Sequence, residues 1–180
     1  PPKPNPDQLE MGHLLEPIAA YWYQKKTGNT VTDDTNIYQH ADHPYALADF
    51  DRRYIRAVDK EPGILECKSC TYHKAGDWAD DAIPLYYEFQ LRYYLSVADV
   101  KHGAFSTLWG NNPDNDMAMP EIIRDRAKED IIFERLDEWI WSLVHDKPPT
   151  MGDVKPKLAL ESLARIYGAS RPGLPTIEFL

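Results

Sequence analysis

Three ionisable side chains, Asp51, Glu66 and Lys68, stand at spacings that suit phosphate chemistry. Side chains alternate between the two faces of a β-strand, so Glu66 and Lys68 point one way while Leu65 and Cys67 point the other. A hairpin preceding this strand would bring Asp51 beside Glu66. Two carboxylates and a nearby lysine favour one or two hard divalent cations held by oxygen ligands, with an ammonium group close to a reacting phosphate.

The elements around these residues are those of a hairpin. Residues 53–58 and 63–68 read as two strands joined by the turn-rich loop 59–63, which contains Pro62 and Gly63. Ahead of the hairpin, the apolar segment 44–48 predicts a buried strand that ends at Asp49 and Asp51. The pattern leaves open which of these two acids is the metal ligand.

The rest of the chain alternates helices and strands. We predict a helix over 9–27, ended by Gly28 and kinked or restarted at Pro17, and a polar, turn-rich segment over 29–44. Further elements are a loop over 69–82, helices over 84–96 and 126–145, and strands over 104–109 and 116–124. The inward positions predicted for the last helix are Ile131, Ile132, Leu136, Trp139, Ile140 and Leu143. This order predicts an α/β fold with a mixed central sheet flanked by helices.

The length of 180 residues predicts one domain over 1–180. Residues 1–8 read as an extended lead-in, and 147–180 as a Pro-rich tail with a short helix near 157–167. The net charge of −9 argues against a passive nucleic-acid coat, which would be basic, but it is compatible with a nuclease whose acids hold cations. No apolar run is long enough to span a bilayer, and two cysteines cannot form a disulfide framework, so the cytoplasm is the expected compartment.

Local basic and aromatic residues are candidate DNA contacts. Arg52, Arg53 and Lys74 could meet phosphates, and Trp78, in a polar loop, could stack on a base. The sequence Cys67-Lys68-Ser69-Cys70 also has the spacing of a redox pair or half a zinc site. Zinc needs about four ligands and no second such motif exists, so a buried thiol and a loop thiol are the favoured interpretation.

Four segments resemble the YqaJ-type phage exonucleases, which are lambda-exonuclease-like members of the PD-(D/E)XK nuclease superfamily. They are residues 12–17, 48–52, 65–68 and 83–90, in the family's order, although Asp49-Phe50-Asp51 lacks the proline for which the superfamily is named. The resemblance implies a restriction-endonuclease-like core and a Mg²⁺-dependent DNA exonuclease of phage recombination, acting on duplex ends in a bacterial cytoplasm. It also implies two Mg²⁺ ions per site, replaceable by Mn²⁺, a single-strand annealing protein as partner, and a homotrimer.

The same resemblance implies individual roles. Asp51, Glu66, the backbone carbonyl of Cys67 and Glu16 would hold the metal. Lys68 would position the attacking water and stabilise charge in the transition state. Tyr87 and Gln90, one helical turn apart, would hold the scissile phosphate or water.

Three other functions compete with an exonuclease. An endonuclease of the same fold would cut closed circular DNA, and a non-catalytic module would bind DNA or protein without hydrolysis. A redox protein using Cys67 and Cys70 would respond to thiol oxidation and not to a chelator.

Overall fold

The computed structural model describes residues 5–147. The chain divides into two units, residues 1–135 and 136–180. The first unit contains the sheet, and of the second only residues 136–147, which begin with the end of a helix, are described. The predicted helix near 157–167 and the predicted tail lie outside the described residues.

The elements follow one another in the order helix, strands, helix, strands, helix. The helices are α1 (Pro6–Thr27), α2 (Leu85–Val97) and α3 (Arg126–Val144), and a 3₁₀ segment spans Tyr72–Asp81. The strands are β1 (Thr30–Asp33), β2 (Tyr38–Gln39), β3 (Leu47–Ala48), β4 (Arg52–Ile55), β5 (Pro62–Ser69), β6 (His102–Leu108), β7 (Met117–Ala118) and β8 (Glu121–Ile123).

The central sheet is mixed. Its strand order is β1-β4-β5-β6-β7, and β8 also pairs with β6. The pair β5–β6 is parallel and the other pairs are antiparallel. Because β5 and β6 are parallel, their carboxyl ends lie at the same edge of the sheet, and α2 is part of the connection between them. This arrangement confirms the predicted fold class.

The predicted hairpin is present as β4 and β5, and its register is fixed by packing. Arg52 pairs with Leu65 and Tyr54 pairs with Gly63. A Cβ added to Gly63 would lie 2.2 Å from Cζ of Tyr54, whose side chain is fully buried. Only glycine leaves room for the tyrosine ring at this position, so a shifted register would introduce a clash.

Two hydrophobic clusters cover the faces of the sheet. On one face α1 packs Ala19, Ala20 and Tyr23 against Tyr54, Leu65, Cys67, Ala104 and Leu108. On the other face α2 packs Leu91 and Leu95 against Phe50, Ile64, Trp78, Val100 and Phe105. The alternation along β5 therefore places Cys67 on the α1 face and Glu66 on the α2 face, as predicted.

Helix α1 differs from its prediction at its start. It begins at Pro6, so residues 6–8 form its first turn rather than an extended lead-in, with the Asn5 side chain accepting the N–H of Asp7. It is continuous through Pro17 and does not restart there. It ends as predicted at Gly28, whose φ of 73° lies in the left-handed region that glycine adopts without strain.

Three further predictions need correction. The segment predicted as turn-rich, 29–44, contains the edge strand β1 and the short strand β2. The predicted strand 44–48 reduces to β3, which pairs with β2 in a separate small sheet. In α3 three of the predicted inward residues, Ile131, Trp139 and Leu143, are more than half exposed, whereas Phe133 is buried. No described helix is long and apolar enough to cross a membrane.

Candidate active site

Asp51 is anchored to the backbone of β5. The β4–β5 ladder ends with the pair Arg52–Leu65, which leaves the next backbone groups of β5 without a strand partner on that side. Oδ2 of Asp51 accepts the N–H of Cys67 there, with an N···O distance of 2.7 Å. The hairpin therefore delivers Asp51 to the residue between Glu66 and Lys68, as the sequence predicted.

The backbone carbonyl of Cys67 points toward the same side. The N–H and C=O of one strand residue face the same neighbouring strand, and the N–H of Cys67 faces Asp51. Its carbonyl oxygen consequently lies on the Asp51 side, beyond the last residue pair of the ladder. This geometry is compatible with the predicted use of that oxygen as a ligand.

Because only the Cys67 backbone would serve the site, Cys67→Ala is expected to keep hydrolytic activity. The thiol packs in the cluster beneath α1, so its removal should cost about 1 kcal/mol of stability. Thermal unfolding and nuclease rates of the purified variant measure both effects. A folded Cys67→Ala protein without activity would show that the thiol itself takes part.

Glu66 and Lys68 form a close ion pair on the opposite face of β5. Nζ of Lys68 lies 2.7 Å from Oε2 of Glu66, and the Glu66 side chain is only 2% exposed. Burial raises the pKa of Glu66 to about 7, the positive charge of Lys68 opposes this effect, and the negative charge of Asp51 adds to it. The carboxylate thus sits where its negative charge is poorly compensated by Lys68 alone.

Lys68 remains a cation in this setting. Burial acts to lower its pKa, but the neighbouring Glu66 carboxylate outweighs burial and the net pKa is raised. Its ammonium group also lies 5.5 Å from the centre of the Tyr87 ring. The ammonium group therefore has both a carboxylate and an aromatic ring close to it.

Glu16 approaches the site from α1. Oε1 of its carboxylate lies 3.1 Å from Nδ1 of His13. Burial raises the pKa of the Cys67 thiol, and the negative charges of Asp51, Glu66 and Glu16 act in the same direction. Glu16 is therefore within electrostatic range of Cys67, on the opposite face of β5 from the Glu66 side chain.

The thiols lack the properties of a redox pair. Burial raises the pKa of both Cys67 and Cys70, which keeps them protonated and poorly nucleophilic. Both cysteines are free in the structure. Neither thiol is therefore poised for thiol–disulfide exchange.

Helix α2 brings the predicted residue Tyr87 to Lys68, and the other predicted residue, Gln90, lies one helical turn further along the helix. Tyr87 is half-buried against Trp78 and Phe105, and burial raises its pKa to about 12. Nε2 of Gln90 donates to the hydroxyl of Tyr94 at 3.0 Å. Sequence reasoning missed Tyr94, which lies one further helical turn along α2 and is within electrostatic range of Glu66 and Lys68.

The predicted DNA contacts have varied surroundings. Arg53 is held by Asp34 at 2.7 Å and Arg52 by Asp33 at 2.9 Å, so each guanidinium already has a carboxylate partner. Lys74 is exposed and pairs with Asp77 at 3.3 Å. Trp78 is only 3% exposed, and stacking on a base would first require its ring to be uncovered.

A second acidic group lies near the start of β5, and it was not predicted. Within residues 5–147, Asp59, Glu61 and His102 are the one group of three such residues whose ligand atoms all approach within 4.8 Å, and this group could hold a metal ion. Arg56 pairs with Asp59 at 3.0 Å and Lys101 with Glu61 at 2.9 Å, so cations of the chain already balance both acids.

The two groups lie at different ends of the parallel strands. His102 pairs with Gly63, three residues before Glu66, which corresponds to about 10 Å along a strand. The sequence did not indicate this second group, because its residues come from a loop and from the start of a strand that is distant in the chain. In the described part of the chain, the ligand atoms of the predicted set Asp51, Glu66 and Glu16 are not grouped within 4.8 Å of one another. Asp51 binds the Cys67 N–H, and Glu66 binds Lys68.

The predicted ligand set nonetheless has the chemistry of a magnesium site. Carboxylate oxygens and a backbone carbonyl are hard donors, which Mg²⁺ and Mn²⁺ prefer over nitrogen or sulphur. Burial and the negative charge of Asp51 raise the pKa of Glu66, and a nearby cation would act in the opposite direction by favouring the ionised carboxylate. The donors of this group thus fit a hard divalent ion.

The sheet and its helices define a restriction-endonuclease-like fold. An alkaline exonuclease from Laribacter hongkongensis, LHK-Exo, superposes with a TM-score of 0.66 at 17% identity, over 88% of this chain and 75% of that one. The structure of LHK-Exo in complex with dAMP superposes with a TM-score of 0.65 at 19% identity, over 87% of this chain and 72% of that one.

The chain belongs to the YqaJ-like viral recombinase domain family, whose model matches residues 2–101. It is 32% identical over 158 residues to the uncharacterized protein YqaJ of Bacillus subtilis (strain 168). That match covers 87% of this chain and 46% of YqaJ, so the chain spans about half the length of this relative. The family resemblance predicted from the four segments is thereby confirmed.

Proposed function

We propose that this chain is the nuclease domain of a Mg²⁺-dependent DNA exonuclease that degrades linear duplex DNA from its ends. The observation that carries the proposal is the bond from the Cys67 N–H to Asp51, which seats that carboxylate beside Glu66 and Lys68 at the carboxyl end of β5. Membership of a viral recombinase family and the fold of an alkaline exonuclease support the same reaction.

Asp51, Glu66, the Cys67 carbonyl and Glu16 are the residues that would hold the metal. When bound, Mg²⁺ polarises a phosphate oxygen and lowers the pKa of a coordinated water. Asp51 is oriented for this task by its hydrogen bond to the backbone, so it does not have to be ordered when the substrate arrives. Glu66 is oriented by its buried position on a central strand.

Lys68 supplies the positive charge that the metal ligands do not. Its ammonium can stabilise the negative charge that develops on the phosphate, in a half-buried site where electrostatic interactions are stronger than in water. The ring of Tyr87 lies 5.5 Å from this ammonium, and the amide of Gln90 donates to the hydroxyl of Tyr94. Tyr87 and Gln90 would hold the scissile phosphate or the attacking water in position for the reaction.

DNA ends are the proposed substrate, and nucleoside monophosphates are the proposed product. An exonuclease releases such monophosphates, and dAMP is the nucleotide of the LHK-Exo complex. Because the chain carries a net charge of −9, its hold on DNA should depend on few phosphate contacts. A single-strand annealing partner, a trimeric assembly and a bacterial cytoplasmic setting stay predictions of the family resemblance.

A blunt linear duplex and a covalently closed circle of the same sequence separate the alternative activities. In Mg²⁺ the linear DNA should be degraded while the circle stays intact, because only the former has ends. Gel electrophoresis of both substrates after equal incubation provides the measurement. Equal cutting of the two would indicate an endonuclease, and binding without cutting of either would indicate a non-catalytic module.

A further inference from the structure

The hydroxyl of Thr107, on β6, is buried without a hydrogen-bond partner. Its side chain is fully buried, and Oγ1 has no partner among the described residues. Such groups are rare in folded proteins, because an unpaired buried hydroxyl has lost its hydrogen bonds to water. The neighbouring Ser106 shows the usual solution, since its equally buried hydroxyl donates to the backbone oxygen of Ala19 at 2.8 Å.

Thr107 is the direct neighbour of Lys68 across the parallel strands. The register pairs Lys68 with Thr107, as it pairs Glu66 with Phe105. Paired residues of adjacent strands point to the same face, and the strands lie about 4.8 Å apart. On its other side Thr107 pairs with Ala118, which offers no polar side chain. Lys68 is thus the charged residue paired with this hydroxyl.

The ammonium group of Lys68 can donate to a second hydrogen-bond acceptor. Its ammonium carries three N–H donors, and one of them binds Oε2 of Glu66. If Glu66 ligates a metal, as the proposed function requires, that oxygen is no longer available to Lys68 alone. The side chain of Lys68 is only 20% exposed, so water can replace the lost bond only in part.

We propose that Thr107 is a positioning residue for Lys68, whose hydroxyl accepts a hydrogen bond from the ammonium group when Glu66 serves as a ligand. This inference rests on the proposed function. The bond would hold the ammonium beside Thr107 of β6, so that it does not move with the Glu66 carboxylate when that carboxylate binds the metal. The unpaired state of the hydroxyl in the present structure is then a cost carried for activity, as is common at functional sites.

Thr107→Val tests the inference, because valine keeps the shape of threonine and removes the hydroxyl. In metal-free protein the melting temperature should rise by about 2–4 °C, since an unpaired buried group is lost. The maximal rate of hydrolysis of linear duplex in Mg²⁺ should fall roughly 10-fold or more, with KM for DNA unchanged. Thr107→Ser should retain most of the parental rate.

Ser106→Ala is the matched control. It removes an adjacent buried hydroxyl that has a partner, so its melting temperature should fall while its rate stays near the parental one. A positioning role also predicts that Thr107→Val adds no further loss in a Lys68→Met background, because the two residues act as one unit. If the valine variant does not fold, the Thr107→Ala and Thr107→Ser pair decides by the same comparison.

Three results would overturn the inference. They are a lower melting temperature of Thr107→Val, a rate within about twofold of the parental protein, or an equal loss with and without Lys68. The melting temperature can be measured whether or not the protein is active. The two rate outcomes require an active parental protein, so they are distinct from failure of the proposed function, in which the parental protein itself does not hydrolyse DNA.

Discussion

Replacing Lys68 with methionine is expected to lower the rate of DNA hydrolysis by about 10²–10³-fold while Mg²⁺ binding persists. Methionine has a similar length and no charge, so it removes the ammonium at 2.7 Å from Glu66 without opening a large cavity. The loss of a positive charge beside the ligands also removes repulsion toward the incoming cation. Single-turnover hydrolysis and calorimetric titration of Mg²⁺ measure the two effects independently.

Lys101→Met is the control for this variant. Lys101 also pairs with a carboxylate, that of Glu61 at 2.9 Å, but it lies just before the start of β6, away from Asp51. Its replacement should leave the rate unchanged. Parental hydrolysis by the Lys68→Met protein would remove Lys68 from the reaction.

Replacing Glu66 with glutamine is expected to abolish both hydrolysis and the stabilisation by Mg²⁺. At about a hundred times its Kd, a ligand that binds only the folded state stabilises it by about 2.7 kcal/mol, which corresponds here to on the order of 5–10 °C. Glutamine keeps the size of the side chain but cannot offer a negatively charged oxygen to the ion. Thermal unfolding with and without millimolar Mg²⁺ measures the shift in the parental and variant proteins.

Glu61→Gln decides between the two acidic groups. Glu61 belongs to the group with Asp59 and His102, which could also hold an ion. If the proposed site is correct, Glu61→Gln keeps the Mg²⁺-dependent shift that Glu66→Gln loses. The opposite outcome would place the metal at the start of β5 and would refute the assignment of Glu66.

The sequence predicted the elements whose signals are local. The alternation of Leu65 and Cys67 with Glu66 and Lys68 defined the faces of β5, and the turn-rich loop defined the hairpin. The edge strand β1 was missed because its residues, Thr30–Asp33, carry no buried apolar alternation. Its strand character comes from pairing with β4, which is a tertiary contact.

Burial of single aromatic residues was harder to predict. Trp78 stands among polar residues in the sequence, yet the kinked 3₁₀ segment folds it into the cluster beneath α2. Phe133 is buried while Ile131, two residues away, is exposed. Helical periodicity gives the apolar stripe but does not say which part of it meets a neighbour.

The candidate site could be predicted only in part, because some of its contacts are local in the sequence and others are not. Residue types and spacing indicated Asp51, Glu66 and Lys68, and the structure brings all three to one end of β5. The unpaired hydroxyl of Thr107 could not be predicted from the sequence. Its relation to Lys68 depends on the register of two strands that are distant in the chain.

We propose that Asp51, whose carboxylate binds the Cys67 backbone, supports metal-dependent hydrolysis and that its exposed neighbour Asp49 does not. The most direct measurement is the release of nucleotides from blunt linear duplex DNA in Mg²⁺ and in chelator by the parental protein, Asp51→Asn and Asp49→Asn. We expect release by the parental and Asp49→Asn proteins in Mg²⁺ alone, and none by Asp51→Asn in either condition. Release in chelator, or release by Asp51→Asn at the parental rate, would contradict the account.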